Sequence, residues 1–167
     1  MARIRPKDID LIKKLTDFHK SYFTLSDLEK VLSLKRESLY VTLNRFVKSG
    51  MLVRLAKNIY SLFNEPLDIE KIANELYFPS YLSFEQALSQ YSILSQIPYT
   101  VTFAAIRPTK KIVIANVAVE YSHIKRELFF GYTLKNGKYI AEKEKALLDQ
   151  LYMVNIGKRS LDIEELD

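Results

Sequence analysis

Residue types that build reactive or metal-binding centres are rare or missing in this sequence. It has no cysteine and only two histidines, His19 and His123, which lie far apart in the chain. Disulfides, thiolate metal sites and cysteine nucleophiles are therefore excluded, and no histidine pair has the spacing of metal ligands. We expect neither a bound metal nor a cofactor.

The four glycines are also too widely spaced for a common kind of enzyme site. No two of them lie within five residues of each other, whereas phosphate-binding loops need closely spaced glycines. In addition, no Asp or Glu precedes a lysine by two residues, which is the spacing of a widespread nuclease motif. These absences predict that the protein is not an enzyme.

Long apolar runs are missing as well. No stretch approaches the roughly 18 apolar residues that a membrane helix needs. The N-terminal stretch Met-Ala-Arg-Ile-Arg-Pro has no apolar segment of the signal-peptide type. We therefore expect a cytoplasmic protein.

The excess of positive charge is confined to the first part of the chain. Residues 1–63 contain 13 Lys/Arg and 6 Asp/Glu, a net charge of +7, whereas residues 64–167 contain 12 and 14, a net charge of −2. A basic segment of this kind is typical of proteins that bind a polyanion such as nucleic acid. A solvated lysine-rich surface would show the same balance, so charge alone leaves both interpretations open.

A domain boundary is predicted where this charge balance changes sign. Residues 64–67, Asn-Glu-Pro-Leu, are mostly polar and include a proline. We therefore predict an N-terminal domain at residues 1–63, a linker at 64–67 and a C-terminal domain at 68–167.

The N-terminal segment has the pattern of three helices followed by a hairpin. Pro6 suits the first turn of a helix, and Ser26 with Glu29 has the spacing of a capping box at the start of a second helix. A third helix follows the turn at residues 33–34, and Gly50 ends it. Two short apolar runs then flank residues 56–58. Apolar residues at helical spacing should face the core; they are Ile9, Ile12, Leu15, Phe18, Leu28, Val31, Leu32, Leu39, Leu43, Phe46 and Val47.

This order of elements predicts a winged helix-turn-helix that binds DNA. The third helix has a mixed polar surface opposite its apolar face, with groups that can contact base edges and phosphates in a major groove. The hairpin that follows is basic and suits the adjacent backbone or minor groove. An amphipathic helix that merely meets water is the alternative for the helix alone. The predicted DNA-binding residues are Lys35, Arg36, Ser38, Tyr40, Thr42, Asn44, Arg45, Lys48, Arg54, Lys57 and Asn58.

The remainder of the chain has the pattern of a small α+β domain. Helices are predicted at residues 68–77, 83–94 and 142–154; the second opens with Ser83 and Gln86 as a capping box, and the last buries Ala146, Leu147, Leu151 and Tyr152. Strands are predicted at residues 99–106, 111–119 and 128–134, and Asn136-Gly137 marks a tight turn before Tyr139. The whole chain is therefore predicted to be α+β.

The C-terminal segment offers only weak candidates for chemistry. Residues 142–145, Glu-Lys-Glu-Lys, are typical of a solvated first helical turn, and Asp149 has a structural interpretation too. The aromatic residues near the first two helices of this segment are expected to be core, or a protein-binding patch where exposed. They are Tyr77, Phe78, Tyr81, Phe84 and Tyr91.

Four short motifs resemble the AbiEi family of antitoxins and transcriptional regulators. They are Tyr60-Ser-Leu, Ser83-Phe-Glu-Gln-Ala-Leu, Ile97-Pro-Tyr-Thr-Val-Thr-Phe, and Ile140-Ala-Glu-Lys-Glu-Lys-Ala-Leu-Leu-Asp149. The last is the most telling, because the family tends to show a glutamate, a basic residue and then Ala-Leu-Leu-Asp near this place. This chain has Gln86 where the family often has serine.

The resemblance implies a type IV toxin–antitoxin or abortive-infection system. Such a regulator represses its own promoter by binding inverted repeats through its N-terminal winged helix, and counters a nucleotidyltransferase-like toxin. A single winged helix covers one half-site, so the resemblance implies a homodimer or cooperating monomers on double-stranded DNA. A protein-interaction module that neutralises a toxin by direct contact is the alternative function.

Overall fold

The computed structural model describes residues 5–63 and 65–161. Outside this description lie residues 1–4 and 162–167, which are the outer ends of the two predicted domains, and Asn64 of the predicted linker. The chain divides into two compact units, Met1–Asp68 and Ile69–Asp167. Within the described residues it is a mixed α+β protein with six α-helices and two β-sheets.

The N-terminal unit consists of three helices and a three-stranded antiparallel sheet. Its elements, in chain order, are α1 (Pro6–Thr16), β1 (Phe23–Thr24), α2 (Leu25–Leu32), α3 (Arg36–Lys48), β2 (Leu52–Ala56) and β3 (Ile59–Leu62). The sheet has the order β1-β3-β2. Pro6 occupies the first turn of α1 as predicted, and Gly50 adopts φ +76° just beyond the end of α3. The two-residue strand β1 was not predicted.

The core of this unit lies between the three helices and the three-stranded sheet. Its fully or largely buried members are Leu15, Phe23, Leu28, Leu32, Leu39, Leu43, Phe46, Leu52 and Tyr60. The apolar face predicted for α3 is correct, because three of its four members are fully buried and Val47 packs against them. The face predicted for α1 is wrong in part: Ile9 and Phe18 are about half exposed. Asp8 instead takes a buried position on the same face as Leu15, two helical turns before it.

Helix α2 begins at a different cap from the predicted one. Thr24, not Ser26, is the N-cap: its Oγ1 accepts from the amide of Asp27 at 3.2 Å, and its own amide donates to the Asp27 carboxylate at 2.9 Å. The capping box therefore starts two residues earlier. Leu25 is the first residue of the helix and is buried. Burial of its side chain favours a helix that begins at this residue.

The C-terminal unit is a six-stranded mixed sheet with three helices. Its elements are α4 (Ile69–Leu76), β4 (Ser80–Leu82), α5 (Phe84–Gln90), β5 (Thr100–Ala105), β6 (Lys110–Ile114), β7 (Val117–His123), β8 (Tyr132–Lys135), β9 (Lys138–Ala141) and α6 (Lys143–Asn155), with a short 3-10 turn at Arg126–Leu128. The strand order is β6-β7-β5-β4-β9-β8. Neighbours are antiparallel except for the parallel pairs β5/β7 and β4/β9.

Two strand predictions for this unit need correction. The segment predicted as one strand at residues 111–119 contains a hairpin turn, because Ala115 and Asn116 both adopt positive φ and reverse the chain between β6 and β7. The segment 128–134 begins in the 3-10 turn, and only its end lies in β8. The three-residue strand β4 was not predicted.

Helix α6 buries a polar face that the sequence did not predict. Lys145, Asp149 and Gln150 are buried beside Ala146 and Met153. Leu151, predicted to be core, is 46% exposed. Fixed polar partners on neighbouring elements, described below, account for this orientation of the helix.

Candidate nucleic-acid interface

One face of α3 is exposed along the length of the helix. Leu39 and Leu43 point into the core, and residues about 180° from them at 100° per residue are Glu37, Val41 and Lys48. All three are exposed, and Val41 is 65% exposed although it is apolar. Asn44 lies beside them and is exposed too. The face therefore presents an acid, a methyl-bearing side chain, an amide and a cation in sequence.

The start of α3 carries two more exposed cations. Lys35 is the N-cap residue and Arg36 the first helical residue. Arg36 lies 3.7 Å from the Glu29 carboxylate, and a side-chain hydrogen bond with Tyr40 raises the pKa of its guanidinium further above its usual value. Ser38 is exposed and Tyr40 is 39% exposed. These predicted residues all remain accessible to a partner.

Thr42 has to be removed from the predicted contact residues. Its side chain is 7% exposed and lies on the core side of α3, between Leu39 and Leu43 in the sequence. A buried hydroxyl cannot reach a base edge or a phosphate from this position. The sequence alone misled because threonine occurs both in cores and at DNA contacts.

Arg45 is held inside the protein by an acid that the sequence analysis missed. Its Nη2 lies 2.6 Å from one carboxylate oxygen of Asp8 and its Nε donates to the other at 3.1 Å. Asp8 is 1% exposed and the Arg45 side chain is 20% exposed. Burial alone raises the pKa of the Asp8 carboxyl, but hydrogen bonds from Arg45 and Arg5 outweigh it and lower that pKa below its usual value.

This pair changes the role assigned to Arg45. A guanidinium that reads guanine needs a free fork of donors, whereas two donors of Arg45 are committed to Asp8. The arginine connects α3 to α1 and lies at the flank of the exposed face, not at its centre. The only sequence signal for Asp8 was its position in the first turn of a helix, which explains capping but does not reveal a contact 37 residues away.

The hairpin is fixed against the start of α2. Lys57 and Asn58 form its turn, Lys57 is exposed, and Asn58 adopts φ +63°. The Asn58 carbonyl accepts from the Leu25 amide at 3.0 Å. Arg54 is exposed, and its Nε lies 3.4 Å from the Ala56 carbonyl. Two cations are therefore displayed on a hairpin whose turn is tied to the helical part of the unit.

The resemblance motif in α6 forms a buried polar cluster. The Asp149 carboxylate accepts from the Tyr81 hydroxyl at 2.9 Å, from Ser83 Oγ at 2.8 Å and from the Lys145 ammonium, which forms a salt bridge with it. Burial raises the pKa of Asp149, and the three donors oppose that shift. Burial and the neighbouring Asp149 carboxylate also raise the pKa of Tyr81.

Two expectations change with this cluster. Lys145 is 5% exposed and not part of a solvated first turn. Ser83 precedes α5 as its N-cap residue but makes no side-chain cap, because its hydroxyl donates to Asp149. Since the four side chains are at most 5% exposed, the cluster connects α6 to β4 and the start of α5 and has a structural role. Tyr77 and Phe84 are buried as well, while Phe78 is 58% exposed.

Neither a metal site nor a membrane helix is found in residues 5–63 and 65–161. In this part of the chain no three acidic or histidine side chains are grouped so that they could hold an ion. The helices of the same residues are too short or too polar to cross a bilayer.

Comparison with known proteins finds a family similar to the N-terminal segment. None of the curated proteins compared with this chain matches it. Residues 10–62 match the family described as "Transcriptional regulator, AbiEi antitoxin". The match spans α2, α3 and the hairpin together with most of α1, so the resemblance predicted from the sequence is confirmed there. Over residues 10–62 the chain is therefore similar to the AbiEi antitoxin and transcriptional-regulator family.

Proposed function

We propose that this protein is a DNA-binding autorepressor and the antitoxin of a toxin–antitoxin system. The N-terminal unit acts as a winged helix-turn-helix, in which α3 enters the major groove and the β2–β3 hairpin is the wing. The observation that carries this proposal is the exposed face of α3, with Asn44 and Lys48 accessible and the basic hairpin fixed beside the helical part of the unit. The family match over residues 10–62 supports it.

Each exposed group on α3 has a partner type in a major groove. The Asn44 amide can pair with adenine, the Glu37 carboxylate can accept from cytosine, and the Val41 methyl groups can contact thymine. Lys35 and Lys48 suit phosphates on either side. Such phosphate contacts set the position of the helix, while the base contacts supply the sequence preference.

The hairpin and the number of copies complete the proposal. Lys57 and Arg54 contact the backbone beside the groove that α3 occupies. Because one winged helix covers one half-site, two copies occupy an inverted repeat in the promoter of the gene, as a homodimer or as cooperating monomers. The protein acts in the cytoplasm, and the toxin it counters is nucleotidyltransferase-like, as the resemblance implies.

Binding to promoter DNA, measured by fluorescence anisotropy at several salt concentrations, tests this proposal. We expect Asn44→Ala to cost about 1–3 kcal/mol on the cognate repeat and little on a scrambled duplex. Lys57→Ala should weaken binding to both duplexes alike and reduce the salt slope by about 1, since one phosphate contact is lost. Lys143→Ala removes one exposed cation of α6 and serves as the matched control.

Two results would contradict the proposal. Equal losses for Asn44→Ala on cognate and scrambled DNA would show that α3 does not read bases. A salt slope changed as much by Lys143→Ala as by Lys57→Ala would show that the attraction is a property of net charge and not of the hairpin.

Direct contact with the toxin is the second candidate function. Leu148 and Leu151 lie one turn apart on α6 and are 58% and 46% exposed, and exposed apolar pairs of this kind favour a protein contact. Co-expression with the adjacent gene product tests it: co-purification that Leu148→Asp abolishes supports direct neutralisation. Full protection from the toxin without a complex would reject it.

A further inference from the structure

The C-terminal unit contains an open cleft of about 890 Å³. Its walls come from the end of β7, the 3-10 turn that follows and α6. The volume is within the range of roughly 300–1,000 Å³ found for sites that bind small organic molecules. Its lining residues are His123, Lys125, Arg126, Glu127, Leu128 and Tyr152.

The charge of this cleft favours an anion. Lys125 and Arg126 are adjacent and exposed, and neither forms an ion pair with any residue that the structure describes. His123 Nδ1 lies 3.3 Å from the Arg107 carbonyl, which as an acceptor fixes the proton on Nδ1 and leaves Nε2 for another partner. The only carboxylate among the lining residues is that of Glu127. The cleft therefore has two uncommitted cations and an imidazole beside a single acid.

The position of the cleft in the sheet supports a ligand site. The parallel strands β5 and β7 end side by side, with Ala105 opposite His123. In open α/β sheets, ligands bind beyond the carboxyl ends of parallel strands at a switch point, and this parallel pair offers the same kind of position within a mixed sheet. Arg107 lies at the same edge, with its guanidinium 4.3 Å from the centre of the Tyr77 ring. The end of the sheet at which the cleft lies thus has a third cation, Arg107, which packs on the Tyr77 ring.

We propose that this cleft binds a nucleoside phosphate. The Arg126 guanidinium and the Lys125 ammonium hold the phosphate oxygens through charge-assisted hydrogen bonds. Leu128 and Tyr152 supply an apolar and aromatic wall for the nucleobase, and the Glu127 carboxylate accepts from ribose hydroxyls. All the residues of this site belong to the C-terminal unit.

Isothermal titration calorimetry of the full chain tests this proposal with ATP, AMP, inorganic phosphate, adenosine and a short single-stranded oligonucleotide. We expect ATP to bind more tightly than AMP, and both more tightly than phosphate or adenosine alone. The double variant Lys125→Ala, Arg126→Ala should lose at least about tenfold in affinity for ATP. The matched control, Lys13→Ala with Lys14→Ala, removes two adjacent exposed cations of α1 and should leave ATP affinity unchanged.

A further variant separates the phosphate and base contacts. Tyr152→Leu should weaken ATP but not inorganic phosphate, and its near-ultraviolet circular dichroism shows whether the fold is kept. Absence of ATP binding, or equal losses in the double variant and its control, would overturn the proposal. Binding of the oligonucleotide without ATP or AMP would overturn the assignment to a free nucleotide.

Discussion

The buried cluster in α6 makes a quantitative prediction about non-additive substitutions. Lys145→Met leaves the Asp149 carboxylate inside the protein with only the hydroxyls of Tyr81 and Ser83 as donors. Breaking a buried ion pair in this way costs about 3–5 kcal/mol of the free energy of unfolding. Asp149→Asn costs a similar amount, because it leaves the Lys145 ammonium without its countercharge.

The double variant carries the decisive result. Methionine and asparagine together contain no charge, and an asparagine oxygen can still accept from the two hydroxyls. We therefore expect Lys145→Met with Asp149→Asn to cost no more than either single change, so the coupling energy amounts to several kcal/mol. Urea unfolding followed by near-ultraviolet circular dichroism of the tyrosines measures all four proteins. If the two single losses add in the double variant, the cluster is not an energetic unit and the reasoning fails.

Two further predictions concern a close packing contact and an acid-sensitive pair. Gly131 adopts φ +67°, and a Cβ added there would lie 3.1 Å from Lys145 Cγ, whereas a Cβ added at Gly157, at φ +70°, would have nothing within 4 Å. Thermal unfolding should therefore show a larger loss of stability for Gly131→Ala than for Gly157→Ala. At Gly157 the backbone conformation alone costs about 1–2 kcal/mol. Equal losses would reject the packing argument. Because the pKa of Asp8 is lowered from 3.8, its contribution to stability is present above that pH and is lost as the pH falls through the lower folded-state value. Urea unfolding between pH 6 and 2 should show this loss in the wild type and a smaller one after Arg45→Met; identical profiles would contradict it.

Local patterns were sufficient to predict much of the N-terminal unit. The apolar positions of α3 recur at helical spacing over three turns, Gly50 follows the helix, and the apolar runs around the turn at residues 57–58 pair as β2 and β3. Short-range rules decide these features, because the residues that interact are close in sequence. The cap of α2 was nevertheless misplaced, since Thr24 and Ser26 each precede an acidic residue by three positions, and the structure shows the capping hydrogen bonds between Thr24 and Asp27.

Contacts between distant residues could not be predicted in the same way. The bond between Asp8 and Arg45 joins residues 37 positions apart, and that between Tyr81 and Asp149 joins residues 68 apart. Each contact buries an aspartate, Asp8 or Asp149, whose charge alone would predict a place on the surface.

The hydrogen bond between Leu25 and Asn58 has a consequence for how a duplex is accommodated. It joins the turn of the hairpin to the first residue of α2, so it restrains the hairpin from moving independently of the helices. If this unit binds DNA as proposed, a hairpin restrained in this way loses less conformational entropy on docking, and more of the adjustment passes to the nucleic acid. Operators with easily deformed pyrimidine–purine steps beneath the hairpin should then bind more tightly than stiff ones, even where no side chain touches those bases.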